Sequence, residues 1–200
     1  MPINNNIDKQ LRTNAIIKGI ILGVILLASS IFSYYLITSL TKTSWLIIAG
    51  PYFFSILIPI ILIALFCVNM RKKQGGYWGF KASVTAIFIM FMVCYAILTI
   101  GRDLVFAKLI EPDMAQKTQA VMLNVKAEQL KIGGASQTEI NSQITELKKE
   151  FAAASPGGLS IVQDYVTNII FLFAIAVVFA AIFKKEPPYT IEKVTEDTIV

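Results

Sequence analysis

Histidine is absent from this 200-residue chain, and cysteine occurs only twice. These absences exclude histidine-based acid–base catalysis, disulfide scaffolds and zinc clusters. Charged residues are scarce as well, at 16% of the chain against about 25% in an ordinary soluble domain. Because 56% of the residues are hydrophobic, the composition excludes a water-soluble globule and indicates a membrane protein.

The chain contains no motif for a nucleophile–base set, a phosphate-binding glycine loop or a dinucleotide fold. We therefore predict a protein that is not an enzyme and that uses neither a metal nor a cofactor. The net charge of +5 is explained by basic flanks that meet anionic lipid, and no motif supports nucleic-acid binding.

Four continuous apolar segments are long enough to cross about 30 Å of hydrocarbon, which takes a helix of about 20 residues. They cover residues 19–40, 45–70, 82–101 and 159–183. None alternates with a period of two, so we predict an all-α, four-helix transmembrane bundle and not a barrel. The first segment exceeds the roughly 7–15 apolar residues of a signal peptide, so we expect it to remain as the first helix.

In the short connections and flanks of these four segments, lysine and arginine lie almost entirely on one side, and the first connection holds only Lys42. They precede the first, fill the second connection and follow the last, at Lys9, Arg12, Lys18, Arg71, Lys72, Lys73, Lys81, Lys184 and Lys185. Positive residues accumulate on cytoplasmic flanks during insertion. We therefore predict that both termini face the cytoplasm, that residues 102–158 lie in the periplasm, and that residues 184–200 form a disordered cytoplasmic tail.

The segment 102–158 reads as two amphipathic helices joined by Gly133-Gly134. Ser136 and Glu139 have the spacing of a capping box at the start of the second helix. The apolar side chains of that helix share one stripe at Ile140, Ile144, Leu147 and Phe151. We predict an antiparallel helical hairpin with these four residues as its contact stripe. Thr118 and Glu128 interrupt the apolar stripe of the first helix. The hairpin should therefore also pack against the bundle, a second copy or another protein.

One carboxylate, Asp164, lies inside a predicted span. Counted from the cytoplasmic ends of their helices, Asp164 and Arg102 both lie about 20 residues along, at the same edge of the hydrocarbon. We predict an interfacial ion pair between them, with Asp103 as a further carboxylate nearby, because an ionised group at this depth is favoured when it is paired. A structural clasp is preferred here to a proton or ion site.

Two further patterns concern packing inside the membrane. Gly19 and Gly23 have the small-x-x-x-small spacing that lets helix backbones approach closely, and we expect them to pack one bundle. Pro59 removes a backbone hydrogen bond within the second span, so a kink is expected there.

Several short motifs occur in a recognisable order along the chain: Gly75-Gly76-Tyr77-Trp78-Gly79-Phe80-Lys81, Ile110-Glu111-Pro112-Asp113, Ser155-Pro156 and Ala180-Ala181-Ile182-Phe183-Lys184-Lys185. In that order the chain resembles the bacterial membrane family called domain of unknown function 4199. The resemblance covers nearly the whole sequence. It implies a four-helix protein of the Gram-negative cytoplasmic membrane with a helix-turn-helix insertion, and it brings no catalytic residues.

These patterns predict a non-enzymatic protein of the cytoplasmic membrane whose periplasmic hairpin mediates assembly, with a second copy or with another envelope protein. The alternative is a small oligomeric transporter or channel with Asp164 and Arg102 near its mouth. A conduit needs polar groups along several spans, and the candidates are few: Ser29, Ser30, Ser33, Thr85, Tyr95 and Thr99.

Overall fold

The computed structural model describes residues 5–40, 43–153 and 158–186, which are almost entirely helical and contain no strand. Seven α-helices follow one another: α1 (Asn5–Tyr35), α2 (Ser44–Tyr52), α3 (Ile58–Lys73), α4 (Phe80–Leu98), α5 (Met114–Ile132), α6 (Gln137–Ala153) and α7 (Gly158–Phe183). Three π-helical segments continue or join them, at Leu36–Leu40, Phe53–Leu57 and Thr99–Ile110. The all-α prediction is confirmed.

Four stretches of the described chain are long and apolar enough to cross a membrane. They are Lys9–Leu40 (span 1), Trp45–Lys73 (span 2), Phe80–Ile110 (span 3) and Gln163–Phe183 (span 4). Span 3 continues past its predicted end, because its helix widens into the π-helical segment and stops only before Glu111-Pro112. The end of the bundle next to α5 and α6 is called the α5–α6 end below.

Close approach of α1 and α4 forms the centre of the bundle. A Cβ built on Gly23 would lie 2.9 Å from the Ile97 Cβ, and one on Gly19 would lie 2.7 Å from the carbonyl oxygen of Met90. Neither position has room for a side chain, so both glycines pack this one bundle, as their spacing predicts. On the other side of α4, the fully buried Ala176 and Ala180 belong to the same core cluster.

Span 3 and span 4 are joined by backbone hydrogen bonds at the end of the bundle opposite to the α5–α6 end. The Trp78 N–H donates to the Lys185 carbonyl at 2.6 Å, and the Lys185 N–H donates back to Trp78 at 3.0 Å. The Trp78 side chain is buried beside this contact. The start of span 3 and the end of span 4 therefore lie at one level.

Span 2 changes its helical form between two prolines. Pro51 lies in α2 and Pro59 in the first turn of α3, and the π-helical segment Phe53–Leu57 lies between them. A proline lacks an N–H donor and its ring crowds the carbonyl four residues earlier. The change of helical form therefore lies in the turn before Pro59, whereas the kink itself stays a prediction.

Helix α5 packs against the bundle through a small apolar cluster. Val125 is buried together with Ile37 of span 1 and Ile47 of α2. Val121 and Met122 add their side chains to the same cluster. Of the three packing partners expected for the helices, the structure therefore shows one, which is their own bundle.

Helix α6 begins where the sequence predicts, and the Ser136 half of the predicted capping box is formed. Gly134 takes a positive φ of 79° in the turn after α5, and the Glu139 N–H donates to the Ser136 Oγ at 3.3 Å. Helices α5 and α6 are in contact, and Ile140 is buried while Ile144, Leu147 and Phe151 are half-buried. The predicted stripe is thus the less exposed face of α6, whereas the antiparallel arrangement stays a prediction. Of the predicted disordered tail 184–200, Lys185 is instead held by its backbone hydrogen bonds to Trp78. The rest of the tail from residue 187 and the expectation for Ser155-Pro156 lie outside the described residues.

Candidate functional site

A cluster of four polar side chains links α5 to the bundle. The Tyr34 and Tyr35 hydroxyls donate to the two oxygens of the Glu111 carboxylate, each at 3.3 Å. The Lys117 ammonium lies 2.6 Å from Glu111 Oε2. Tyr34, Tyr35, Glu111 and Lys117 are called the Glu111 cluster below. One carboxylate therefore joins three elements: the end of α1, the turn after span 3 and the first turns of α5.

Local backbone and ring contacts set the position of Glu111. Its N–H donates to the carbonyl oxygen of Phe106 at 2.8 Å, and its own carbonyl accepts the Met114 N–H at 2.9 Å. The Phe106 ring is buried and meets the Tyr34 and Tyr35 rings edge to face, with centroids 5.5 and 5.9 Å apart. Such edge-to-face pairs favour one mutual orientation. The rings therefore hold both hydroxyls toward the carboxylate.

The charges in the Glu111 cluster stabilise each other. The hydrogen bond from Lys117 is the main reason why the pKa of Glu111 lies below its ordinary value of 4.5, and the tyrosine hydroxyls lower it further. The same hydrogen bond raises the pKa of Lys117 above 10.5. A carboxylate that accepts from three donors and stays ionised is poorly suited to proton transfer. The arrangement is that of an anchor for α5.

The structure gives Arg102 a different partner from the predicted one. Its Nε lies 2.8 Å from Oδ1 of the adjacent Asp103, and both side chains are about half exposed. Within the described residues, no ion pair connects Arg102 to Asp164, and Asp164 is exposed on α7. The interfacial Asp164–Arg102 pair is therefore not formed. Equal depth along two helices was the basis of that prediction, and depth does not determine the direction in which each side chain points.

The polar groups considered for a conduit are dispersed over the bundle. Ser30 and Ser33 line a cavity at the α5–α6 end together with Arg102. The Thr85 hydroxyl donates to the carbonyl one turn earlier in its own helix, and Tyr95 accepts a 3.4 Å hydrogen bond from Asn168. Of these candidates only Ser30 and Ser33 therefore line the cavity, where Ser55 and Arg102 join them.

Sequence reasoning missed the Glu111 cluster. The sequence shows Tyr34 and Tyr35 as interfacial aromatics and Glu111 beside a proline, which are ordinary features of a span boundary. Lys117 follows Glu111 by six residues, so this local pair was the one available signal. The tyrosines are 77 and 76 residues from Glu111, and only the folded chain brings them together.

Comparison with known proteins agrees with the order of motifs. No curated protein and no solved structure matches the chain. A family model described as "Protein of unknown function (DUF4199)" matches residues 18–185. The match extends from within span 1 to just beyond the end of span 4 and takes in α5 and α6. Since it covers far more than half of the sequence, the chain belongs to the DUF4199 family.

Proposed function

We propose that this protein is a non-enzymatic assembly protein of the bacterial cytoplasmic membrane, and that it presents α6 in the periplasm as a contact surface for another protein of the envelope or for a second copy. The observation that carries the proposal is the way α6 is attached. Among the described elements it packs chiefly against α5, and α5 in turn is fastened to the bundle.

Two kinds of contact support a firm attachment of α5. The apolar cluster around Val125 removes side chains from water on both sides of the contact. The Glu111 cluster adds a charge-assisted hydrogen bond and two hydroxyl donors at the first turns of the helix. A surface that protein partners recognise loses less entropy on binding when it is already held in place.

The exposed face of α6 has the chemistry of a hydrated protein contact. Its polar side chains flank a shallow open groove, at Thr138, Asn141, Ser142, Thr145, Glu146 and Lys149. Hydroxyl, amide and charged groups of both signs suit an interface with direct and water-bridged hydrogen bonds, which is the pattern of associations that form and separate. The apolar stripe of α6 lies on its less exposed side and supports the helix pair.

Site-specific cross-linking in native membranes tests the proposal. A photo-cross-linking amino acid in place of Thr145, on the exposed face of α6, should give a discrete product, whereas the same group in place of Gln116 on α5 should not. Deleting residues 114–153 should abolish any co-purifying partner and leave a membrane-inserted bundle.

The alternative function is an oligomeric transporter or channel, which should conduct a solute or an ion whether or not α5 and α6 are present. Solute or ion flux in liposomes that contain the full chain, unchanged by the deletion of 114–153, would contradict the assembly role. So would uniform background cross-linking from Thr145 and Gln116 alike. A product that consists of two copies of this chain would identify self-assembly as the form that the contact takes.

A further inference from the structure

A cavity of about 270 Å³ opens among spans 1, 2 and 3 at the α5–α6 end of the bundle. Three serines line it, Ser30 and Ser33 from α1 and Ser55 from the π-helical part of span 2. Arg102 completes the lining from span 3. Three serines and an arginine therefore line one open space, and the hydroxyl of Ser55 is already used by the Pro51 carbonyl, which leaves those of Ser30 and Ser33.

The remaining wall of the cavity is hydrocarbon. Leu26, Phe54 and Leu98 contribute it, one from each of the three spans, together with Pro51 and Pro59 of span 2. Leu26 lies one turn from Ser30 on α1, and Leu98 lies one turn from Arg102 on span 3, so apolar and polar side chains succeed each other along the helices. This sequence of groups has the polarity profile of a lipid molecule, from acyl chain through ester region to headgroup.

The Arg102 guanidinium uses only one of its N–H donors among the described residues. A guanidinium carries five N–H groups in a fixed fork. Arg102 uses its Nε for Asp103, and among the described residues no acceptor lies within hydrogen-bond distance of its two terminal nitrogens. Phosphate oxygens match this fork better than any single-point acceptor does.

The charge of Asp103 indicates which kind of phosphate-containing ligand suits the cavity. Its carboxylate lies beside Arg102 and is about half exposed, so the pair is close to neutral as a whole. A free anion gains little from a neutral pair, whereas a zwitterionic headgroup can meet each of the two charges with the opposite sign.

We propose that this cavity binds one zwitterionic phospholipid that carries an ammonium headgroup. Its phosphate accepts from the terminal nitrogens of Arg102, and its ammonium lies against Asp103. The ester oxygens accept from the Ser30 and Ser33 hydroxyls, and the upper acyl chain packs on Leu26, Phe54 and Leu98. This site is independent of the assembly surface on α6.

Native mass spectrometry of the full chain in mild detergent tests the site, after incubation with phosphatidylethanolamine or with phosphatidylglycerol. We expect one retained phosphatidylethanolamine. Arg102→Gln should weaken its retention by about tenfold or more, since a charge-assisted contact is lost. The matched control is Lys108→Gln, which removes the same charge from an exposed residue of the same π-helical segment that does not line the cavity.

Filling the cavity gives a second test that leaves the charges in place. Ser33→Leu should reduce lipid retention, whereas Ala28→Leu adds a larger side chain at an exposed position of α1 and should not. A cooperative thermal unfolding transition is the control that each variant is folded. Equal retention by Arg102→Gln and Lys108→Gln would overturn the proposal. Preference for phosphatidylglycerol, or displacement of the lipid by inorganic phosphate alone, would overturn it as well.

Discussion

The Lys117 ammonium lies 2.6 Å from a Glu111 oxygen, and this contact ties the first turns of α5 to the end of span 3. Both tyrosine hydroxyls converge on the same carboxylate. The helix that carries α6 is therefore attached by polar contacts at its start and by apolar contacts around Val125.

Removing one hydroxyl from the Glu111 cluster should loosen this attachment measurably. We expect Tyr34→Phe to destabilise the docked state of α5 by about 1 kcal/mol, because one hydrogen bond is lost, and Glu111→Gln to have the larger effect, since it weakens all three contacts. Hydrogen exchange of the α5 amides measures the change. Tyr52→Phe, at an exposed tyrosine of span 2, is the control. Equal exchange in all variants would show that the cluster does not hold α5.

Acid should abolish the contribution of Glu111 to the stability of the folded protein. Because its pKa lies below the ordinary value of 4.5 in the folded chain, its stabilisation is fully present above that value and is lost as pH falls through the folded pKa. The difference in Tm between the wild-type chain and Glu111→Gln should be largest near about pH 7 and vanish in acid. The pKa of Lys117 is raised in the folded chain, so the stabilisation that Lys117 provides should be lost as pH rises through that folded pKa. A Tm difference that does not change with pH would contradict this assignment.

The approach of α1 to α4 should not tolerate a side chain at Gly23. A Cβ at this position would lie 2.9 Å from the Ile97 Cβ, so Gly23→Leu must push the helices apart. We expect a cost of about 1–3 kcal/mol, the usual range for overpacking, measured by unfolding in detergent. The neighbouring Val24→Leu changes an exposed residue and should be nearly neutral. A stable Gly23→Leu variant would mean that α1 and α4 do not pack in this way.

The predicted topology can be tested by labelling from outside the cell. In a Cys67→Ala, Cys94→Ala background, Ile132→Cys should react with an impermeant maleimide in intact cells, because Ile132 is 78% exposed at the end of α5. Lys72→Cys, at the opposite end of the bundle, should react only after permeabilisation. Labelling of Lys72→Cys in intact cells, or protection of Ile132→Cys there, would reverse the predicted orientation.

Several features of the fold could be read from local patterns. Continuous apolar runs identified the four spans, because the length of such a run is set by the thickness of the hydrocarbon. Gly134 and the Ser136–Glu139 spacing identified the turn and the start of α6, because a positive φ and a cap depend on neighbouring residues. The Gly19–Gly23 spacing likewise identified a close helix contact.

The partners of the polar side chains could not be read in the same way. Asp164 and Arg102 have matching depths and opposite charges, yet Arg102 pairs with Asp103. The π-helical form of Thr99–Ile110 alters the direction in which each of its side chains points, and the apolar sequence gives no sign of it. Glu111, which accepts from Tyr34 and Tyr35, follows directly after the same segment.

The amino-acid sequence by itself determined that the chain is an all-helical protein with four spans and two further helices between the last two, since hydrophobic run length and helix-end signals are properties of neighbouring residues. Only the tertiary structure decided that α5 is fastened through Glu111, and that Ser30, Ser33 and Arg102 share one cavity. The tyrosines lie 77 and 76 residues from Glu111, and the two serines lie on a different span from Arg102, so these contacts depend on how each helix is rotated about its axis. That rotation results from the packing of all the helices together.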